Sequence, residues 1–480
     1  MLFSSIVFLF YFLPIVLLVY YLFSFSRVLQ NIWLLCVSIL FYAWGEPVYV
    51  FLMLFSILIN WLLGFFISIY QDRPRQKKLV LILACIYNIG ILFVFKYLNF
   101  VIYNINSALR HQLISTVNIS LPIGISFFTF QALSYVIDVY RGATAVEKNP
   151  FYVGLYIAFF PQLIAGPIVQ YNSVAHQIRD RRSDVNKLSV GTCRFVVGLG
   201  KKILLANNFA AIADRIFNWS QIGTEYLEIP VILAWLGSFA YTLQIYYDFS
   251  AYSDMAIGLG LMFGFKFNEN FNYPYISQSI SEFWRRWHIS LSMWFREYVY
   301  FPLGGSRVEN KDRMVINTLI VWLLTGIWHG AQWTFLIWGL WNFIFIITER
   351  FFEFEKNGLN KFLKHFYTLF IVNISWVLFR AVDLYQAGIY FKNMLGVNNN
   401  SFFSPLAVMF LKEYGVFFAL GIIFSAPLAS KINIEIIQRK SKLLHILAGI
   451  AYPAGLMAIF LICISYLVRG SYNPFIYFNF

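Results

Sequence analysis

The chain has 480 residues, of which 60% are hydrophobic, 20% aromatic and only 12% charged. Soluble domains carry about 25% charged residues, so the composition excludes an ordinary soluble protein and points to a polytopic membrane protein. The net charge of +14 is read as cytoplasmic loops facing a lipid surface, with no nucleic acid as partner. Cys36, Cys85, Cys193 and Cys463 are scattered without CxxC spacing. They read as small apolar fillers, with neither a metal cluster nor a disulfide framework.

A bilayer core takes about 20 apolar residues per helix. In chain order the candidate spans are 3–23, 32–44, 48–69, 79–103, 121–140, 203–217, 229–247 and 250–265. The run 314–348 is long enough for two passes, and 366–379, 407–426 and 443–468 follow it. The start lacks a charged n-region and a small-residue cleavage site, so 3–23 is expected to be a first transmembrane helix and not a cleaved signal. Several segments are short or broken by Pro and Gly. The segment 151–169, with FFPQLIAGPI and its Pro161 and Pro167, reads as a re-entrant piece packed inside protein. There is no low-complexity linker, soluble domain or strong internal repeat, and 398–401 is a polar loop.

Basic loops set the orientation. Arg73, Arg75, Lys77 and Lys78 place 72–78 in the cytoplasm, and counting back through three spans puts the N-terminus outside. Arg141 and the cluster Arg179, Arg181, Arg182 and Lys187 agree, as do Lys266, Arg285, Arg286, Arg307, Lys311 and Arg313. Lys356, Lys361 and Lys364 are cytoplasmic too, so the run 314–348 goes in and comes back. The last basic loop, 431–442, then leaves Phe480 outside.

Three stretches interrupt the apolar pattern with polar groups. In YYDFSAYSDMAIGLG, 246–260, Asp248 and Asp254 are separated by Ser250, Tyr252 and Ser253. They either line a water-filled pocket or serve as a cap: Asp248 or Ser250 is a natural N-cap for a following helix. In SISEFWRRWHISLSMWFREYVYFPLGG, 279–305, helical spacing puts Trp284, Trp287, Leu291, Phe295 and Tyr298 on one face and Glu282, Arg285, Ser292 and Arg296 on the other. His288 falls on the apolar side, one turn from Trp284 and Ser292. The pattern is that of an amphipathic interfacial helix, arginines toward headgroups and tryptophans toward acyl chains. His288 is either a packed residue bonded to a backbone carbonyl or a functional one.

The third stretch, LLTGIWHGAQWTFLIWGLWN, 323–342, centres on His329. The run 314–348 holds no Asp, Glu, Lys or Arg, so His329 is expected at a turn deep in the membrane. Ionisable groups there are costly and are functional candidates. Gly326 and Gly330 permit a bend and a close backbone approach, and Trp328 and Trp333 stand near. A structural histidine at a helix bend is the alternative.

These stretches, together with FFPQLIAGPIVQY, FFTFQALSYVIDVYRG and the ending SYNPFIYFNF, resemble the membrane-bound O-acyltransferase (MBOAT) family, in its bacterial alginate O-acetylation branch. The resemblance covers nearly the whole chain. It implies an all-α polytopic integral membrane protein of the MBOAT fold, roughly 11–13 transmembrane or re-entrant helices around a central passage. The whole chain, 1–480, is expected to be one transmembrane domain, with its catalytic core at about 120–350. The family's catalytic histidine maps onto His329 and its second polar position onto His288. Trp287, Trp328, Gln332, Trp333, Arg285, Arg286, Ser292, Asp248 and Tyr252 are expected along the substrate passage.

The resemblance also implies transfer of an acyl group from a cytoplasmic thioester to an acceptor outside. Acetyl-CoA is the expected donor substrate, with no permanently bound cofactor. An alcohol is a poor nucleophile near neutral pH, and a histidine of pKa about 6.5 can take its proton as it attacks the thioester. Burial favours the neutral imidazole a base needs. The oxyanion finds donors in Gln332, the Trp328 and Trp333 indoles, or backbone N–H groups at the Gly330 turn, which the sequence does not rank. No serine has triad-like spacing. Donor phosphates suit Arg285, Arg286, Lys201 and Lys202, for which lipid headgroup contact is the other reading. The chain has no esterase-like domain and no GDS motif, so a separate extracytoplasmic acetyltransferase or esterase-like partner and a polysaccharide acceptor are expected. The location is the bacterial cytoplasmic (inner) membrane. Rival readings are a lipid or sterol acyltransferase, D-alanyl transfer to teichoic acid, and a transporter using His329 as a proton relay, which the lack of paired repeats disfavours.

Overall fold

The computed structural model describes residues 1–222, 225–226, 228–308, 310–356, 358–428, 431–432, 442–470 and 472–476. These residues are helical apart from loops and one short antiparallel pair, Gln221–Ile222 with Glu225–Tyr226, in which Gln221 faces Tyr226. Among them, 8 helices are long and apolar enough to cross a membrane. They are Arg27–Gly45, Tyr49–Ile69, Pro74–Leu109, Val185–Trp219, Trp333–Phe351, Lys361–Arg380, Pro405–Phe424 and His445–Val468, with a shorter apolar helix at Phe8–Leu22. The all-α, multi-pass architecture expected from composition holds.

The helices run past several of the expected limits. The expected spans 79–103, 203–217 and 366–379 lie within Pro74–Leu109, Val185–Trp219 and Lys361–Arg380, because a hydropathy reading stops at basic and amide residues that a helix tolerates. The expected spans 229–247 and 250–265 are one helix, Val231–Met262. Asp248 and Ser250 therefore sit in mid-helix and cap nothing; no Gly or Pro separates the two halves. Tyr171–Arg179 and Leu384–Leu395 are short helices outside the expected spans. The basic loop 431–442 lies almost wholly outside the described residues.

The chain forms two compact units. The first comprises Met1–Phe195, Met255–Asn268 and Arg296–Tyr298. Its helices approach closely where side chains are missing. A Cβ on Gly191 would stand 2.5 Å from the Gly258 carbonyl oxygen, and one on Gly258 would stand 2.6 Å from that of Gly191, so glycine at both lets the two backbones touch. Helices Tyr49–Ile69 and Pro74–Leu92 are joined by reciprocal side-chain hydrogen bonds between Asn60 and Asn88, at 2.7 and 3.2 Å.

The guanidinium of Arg181, 4% exposed, knits this unit together. It donates to Asn31 Oδ1 at 2.7 Å, to the Phe263 carbonyl at 3.0 Å, to the Ile178 carbonyl at 3.2 Å and to Tyr20 Oη at 3.2 Å. Two of those acceptors lie at helix C-termini, where a positive charge is favoured. The segment 151–169 is interior, as expected. Helix Pro150–Ala158 stops at Phe159, Phe160–Leu163 follows, and every residue from 153 to 169 is buried. The interruption leaves the Phe160 N–H without a helical acceptor, and Ser38 Oγ accepts it at 3.1 Å.

The second unit comprises Val196–Asp254, Glu269–Phe295 and Val299–Phe480. Its centre is a hairpin of Lys311–His329 and Trp333–Phe351. A Cβ on Gly326 would meet the Phe335 carbonyl oxygen at 2.5 Å, and one on Gly339 that of Trp322 at 2.5 Å, so the two legs pack backbone to backbone. The run 314–348 thus folds as a helical hairpin, with its turn at 330–332.

Lys202 and Asp248 form a buried ion pair at 2.6 Å, their side chains 4% and 3% exposed. Lys202 Nζ also donates to the Pro474 carbonyl, and Asp248 Oδ2 accepts the Ile476 N–H at 2.9 Å. Neither residue is available to a donor phosphate or as a pocket wall: the pair holds the segment 472–476 against the long helix. Removing one member strands a buried charge, whereas replacing both by apolar groups does not. We expect Lys202→Met or Asp248→Leu alone to destabilise the protein by about 3–5 kcal/mol and the double replacement to recover most of that loss. Thermal melting of the detergent-purified variants checks it; unchanged melting in both single variants would show the pair to be dispensable.

Candidate active site

The site is assembled in the second unit from the stretches around His288 and His329. Ser279 starts the first of them. Its Oγ accepts the Glu282 N–H at 2.9 Å, and Glu282 returns a carboxylate oxygen to the Gln278 N–H at 2.9 Å, a variant of the capping box. Glu349 reaches across and accepts the N–H groups of Ile280 at 2.6 Å and Ser281 at 3.0 Å. A carboxylate at a helix N-terminus compensates its positive end.

The helix so begun is not the long amphipathic one its periodicity suggests. Ile280–Arg286 ends there, Trp287 is extended at φ −101 and ψ 131, and His288 is left-handed at φ 43. A second helix, Ile289–Phe295, follows. The break turns both residues inward: Trp287 is 3% and His288 1% exposed. Trp287 packs its ring 4.9 Å from Trp376 and 5.1 Å from Phe271, so these rings face protein and not acyl chains. A non-glycine residue in the left-handed region costs about 1–3 kcal/mol and persists only where its surroundings enforce it.

His288 lies edge-on to Phe249 at 4.5 Å between ring centroids, with Nδ1 3.3 Å from Asn270 Oδ1. Burial pushes its imidazole down to about 3, so it is neutral near neutral pH.

His329 ends the helix Lys311–His329. Gly330 is extended, at φ −170 and ψ 159, a conformation any residue adopts. Glycine is required for room instead: a Cβ would come within 2.2 Å of the Phe335 ring. The His329 ring, 8% exposed, stands 5.0 Å from each of Trp328, Trp338 and Phe379 and 6.4 Å from Phe335. Trp328 also lies 6.2 Å from His288, so one indole contacts both imidazoles.

The other expected passage residues divide. Tyr252 is buried, its ring 5.1 Å from Phe475. Ser292 Oγ donates to the Trp284 carbonyl at 3.4 Å. Gln332 is exposed and accepts from Thr334 Oγ1 at 3.5 Å, and Trp333 is 50% exposed. Arg285 pairs with Glu355 at 2.5 Å and Arg286 with Glu282 at 2.9 Å, while Lys201 pairs with Asp254 at 2.7 Å. All four cations named for donor phosphates are thus engaged within the chain; of these Arg285 is the one half-exposed.

Sequence reasoning missed Asn270, Phe249, Trp338 and Phe379. Trp338 lies in the quoted IWG motif beside His329, a signal that was present. Asn270 and Phe379 sit in distant stretches with no mark of their own.

The sequence profile of the MBOAT, membrane-bound O-acyltransferase family, matches residues 39–380. The chain is 43% identical over 396 residues to a protein of Pseudomonas aeruginosa named "Probable alginate O-acetylase AlgI", covering 81% of this chain and 73% of that one. It is 36% identical over 437 residues to the peptidoglycan O-acetyltransferase of Helicobacter pylori, covering 84% and 81%. Similarity to the teichoic acid D-alanyltransferase of Bacillus subtilis is 28% over 249 residues, 48% of this chain and 59% of that one. A multi-pass helical chain with two buried histidines meeting at one indole, matched by this profile over most of its length, belongs to the membrane-bound O-acyltransferase family and is an acyltransferase.

Proposed function

We propose that this enzyme moves an acetyl group from acetyl-CoA, a cytoplasmic thioester, toward an extracytoplasmic polysaccharide of the alginate or peptidoglycan kind. A separate extracytoplasmic acetyltransferase or esterase-like protein places it on the polymer. The reading rests chiefly on relatives named for O-acetylation of alginate and of peptidoglycan that match more than four-fifths of the chain. The D-alanyl reading has less support, since the teichoic acid relative matches about half of it.

In this reading His329 is the general base. Its neutral imidazole takes the proton of an acceptor hydroxyl as that oxygen attacks the thioester carbonyl carbon. The tetrahedral centre collapses, the C–S bond breaks, and the departing thiolate receives the proton from the imidazolium. The products are an oxygen ester and a thiol, with proton and electron pairs balanced. Trp328, Trp338 and Phe379, packed at 5.0 Å, exclude the water that would otherwise hydrolyse the thioester. His288 orients the acceptor.

The enzyme is read as an inner-membrane protein with both termini outside and the loops at 72–78 and 179–187 inside. In a cysteine-free background, a cysteine at Gln76 should resist an impermeant maleimide added to intact cells and react after lysis; labelling from outside would overturn this orientation. Purified chain given acetyl donor and polymer should leave the polymer unacetylated, and efficient acetylation by the chain alone would remove the need for a partner. His329→Ala should lower polymer-bound acetate by about 10²–10⁴-fold at equal membrane levels, and His288→Ala by less. His329→Gln keeps a polar side chain but cannot take a proton, so it should be as inactive as the alanine variant. Near wild-type acetate with His329→Gln would refute the catalytic assignment.

A further inference from the structure

We propose that Asn270 is a positioning residue for the transfer reaction, fixing the tautomer of His288 so that Nε2 is the atom this histidine presents. The proposal rests on the reading of the two histidines given above.

Asn270 is fully buried, at 0% exposure. Its side-chain carbonyl and amide are distinguishable by chemistry alone. The atom facing Ser290 receives the Ser290 backbone N–H at 3.1 Å and its hydroxyl at 2.9 Å. A backbone N–H only donates, so that atom is the oxygen. The amide nitrogen then faces Ser253 on the long helix and donates to its Oγ at 3.0 Å.

His288 Nδ1 lies 3.3 Å from the same oxygen. An oxygen of this kind accepts and never donates, so Nδ1 carries the proton. The ring's other nitrogen then holds its lone pair. In that tautomer Nε2 can receive a hydrogen bond, as suits a group that orients an acceptor hydroxyl.

The same residue enforces the backbone. The Ile289 N–H donates to the Asn270 carbonyl at 3.0 Å, and the Asn272 N–H to that of Arg286 at 2.9 Å. These bonds bracket the left-handed turn at His288, φ 43. Asn270 Oδ1 also satisfies the first turn of the helix that follows. One asparagine thus sets where the histidine sits, which way its ring faces and which nitrogen is basic.

The test is a double-mutant cycle in membranes prepared from the polymer-producing cells, which retain the extracytoplasmic partner and the polymer, measuring kcat for polymer acetylation and the KM for acetyl-CoA at about pH 8, with thermal melting on each purified variant. Asn270→Asp is isosteric and keeps an oxygen before Nδ1 and Ser290; it should stay within about threefold of wild type, because the tautomer is preserved. Asn270→Leu removes the acceptor and should lower kcat by about tenfold or more with donor KM unchanged. In a His288→Ala background, Asn270→Leu should cost nothing further, since residues that act as one unit are non-additive. If the leucine variant does not reach the membrane folded, Asn270→Ala repeats the cycle, leaving room for water at the Ser290 N–H. Multiplying losses, or a wild-type rate with Asn270→Leu, would overturn the proposal while leaving the histidine reading standing. A wild-type rate with His288→Ala would overturn both.

Discussion

A backbone amide surrounded by lipid has no water to satisfy it, so irregular chain survives at membrane depth only where protein supplies the partners. The candidate site contains irregular backbone whose polar groups are met in the same way, by protein. The chain breaks at 287–288 and at 330–332, and each break carries a histidine at its edge. The exposed helix ends are met within the unit: Glu349 takes the N–H groups of Ile280 and Ser281, and Asn270 takes that of Ser290. In the first unit, Ser38 Oγ serves Phe160 in the same way. Irregular backbone is what frees a side chain from the close packing of a helix face. The same polar groups that permit the breaks therefore also decide where reactive groups stand.

Charge follows the same rule. Lys202 with Asp248, Lys201 with Asp254 and Arg380 with Asp214 are neutralised pairwise within the unit. Arg181 is held by carbonyl oxygens at two helix ends instead of by a carboxylate. Aromatic rings line both imidazoles, Phe249 and Trp328 at His288, where Asn270 also stands, and Trp328, Trp338 and Phe379 at His329. In the proposed reaction such rings exclude water from the reacting thioester.

The parts of this arrangement that come from local pattern were legible in the sequence. The uncharged run around His329 reads as two legs and a turn, and Gly326 marks the close approach of those legs, because both features lie within one stretch. The interior segment at 151–169 was legible from its prolines for the same reason. The break at Trp287 and His288 was not. SEFWRRWHISLSMWF keeps helical spacing and contains neither Gly nor Pro, and the residue that meets the chain at the break, Asn270, lies 18 residues earlier. Asp248 misled likewise: its partner Lys202 belongs to another helix, so it reads as a cap when only its neighbours are seen.

The two histidines differ in a way that separates their roles. A general base must carry a positive charge for part of the reaction. His288 is enclosed at 1% exposure, with Nδ1 beside the neutral side-chain amide of Asn270. His329 is the last residue of a 19-residue helix. A helix C-terminus carries about half a negative charge, and a cation there is favoured by about 0.3–1 kcal/mol, rising to about 2 when partly buried. In the proposed reaction such a field favours an imidazolium over a neutral ring, that is, the state reached as the hydroxyl proton is taken. Stabilisation of that kind accelerates a reaction, whereas equal stabilisation of both states does not. These surroundings support the division proposed above, in which His329 at the helix end takes the proton and His288, beside Asn270, orients the acceptor.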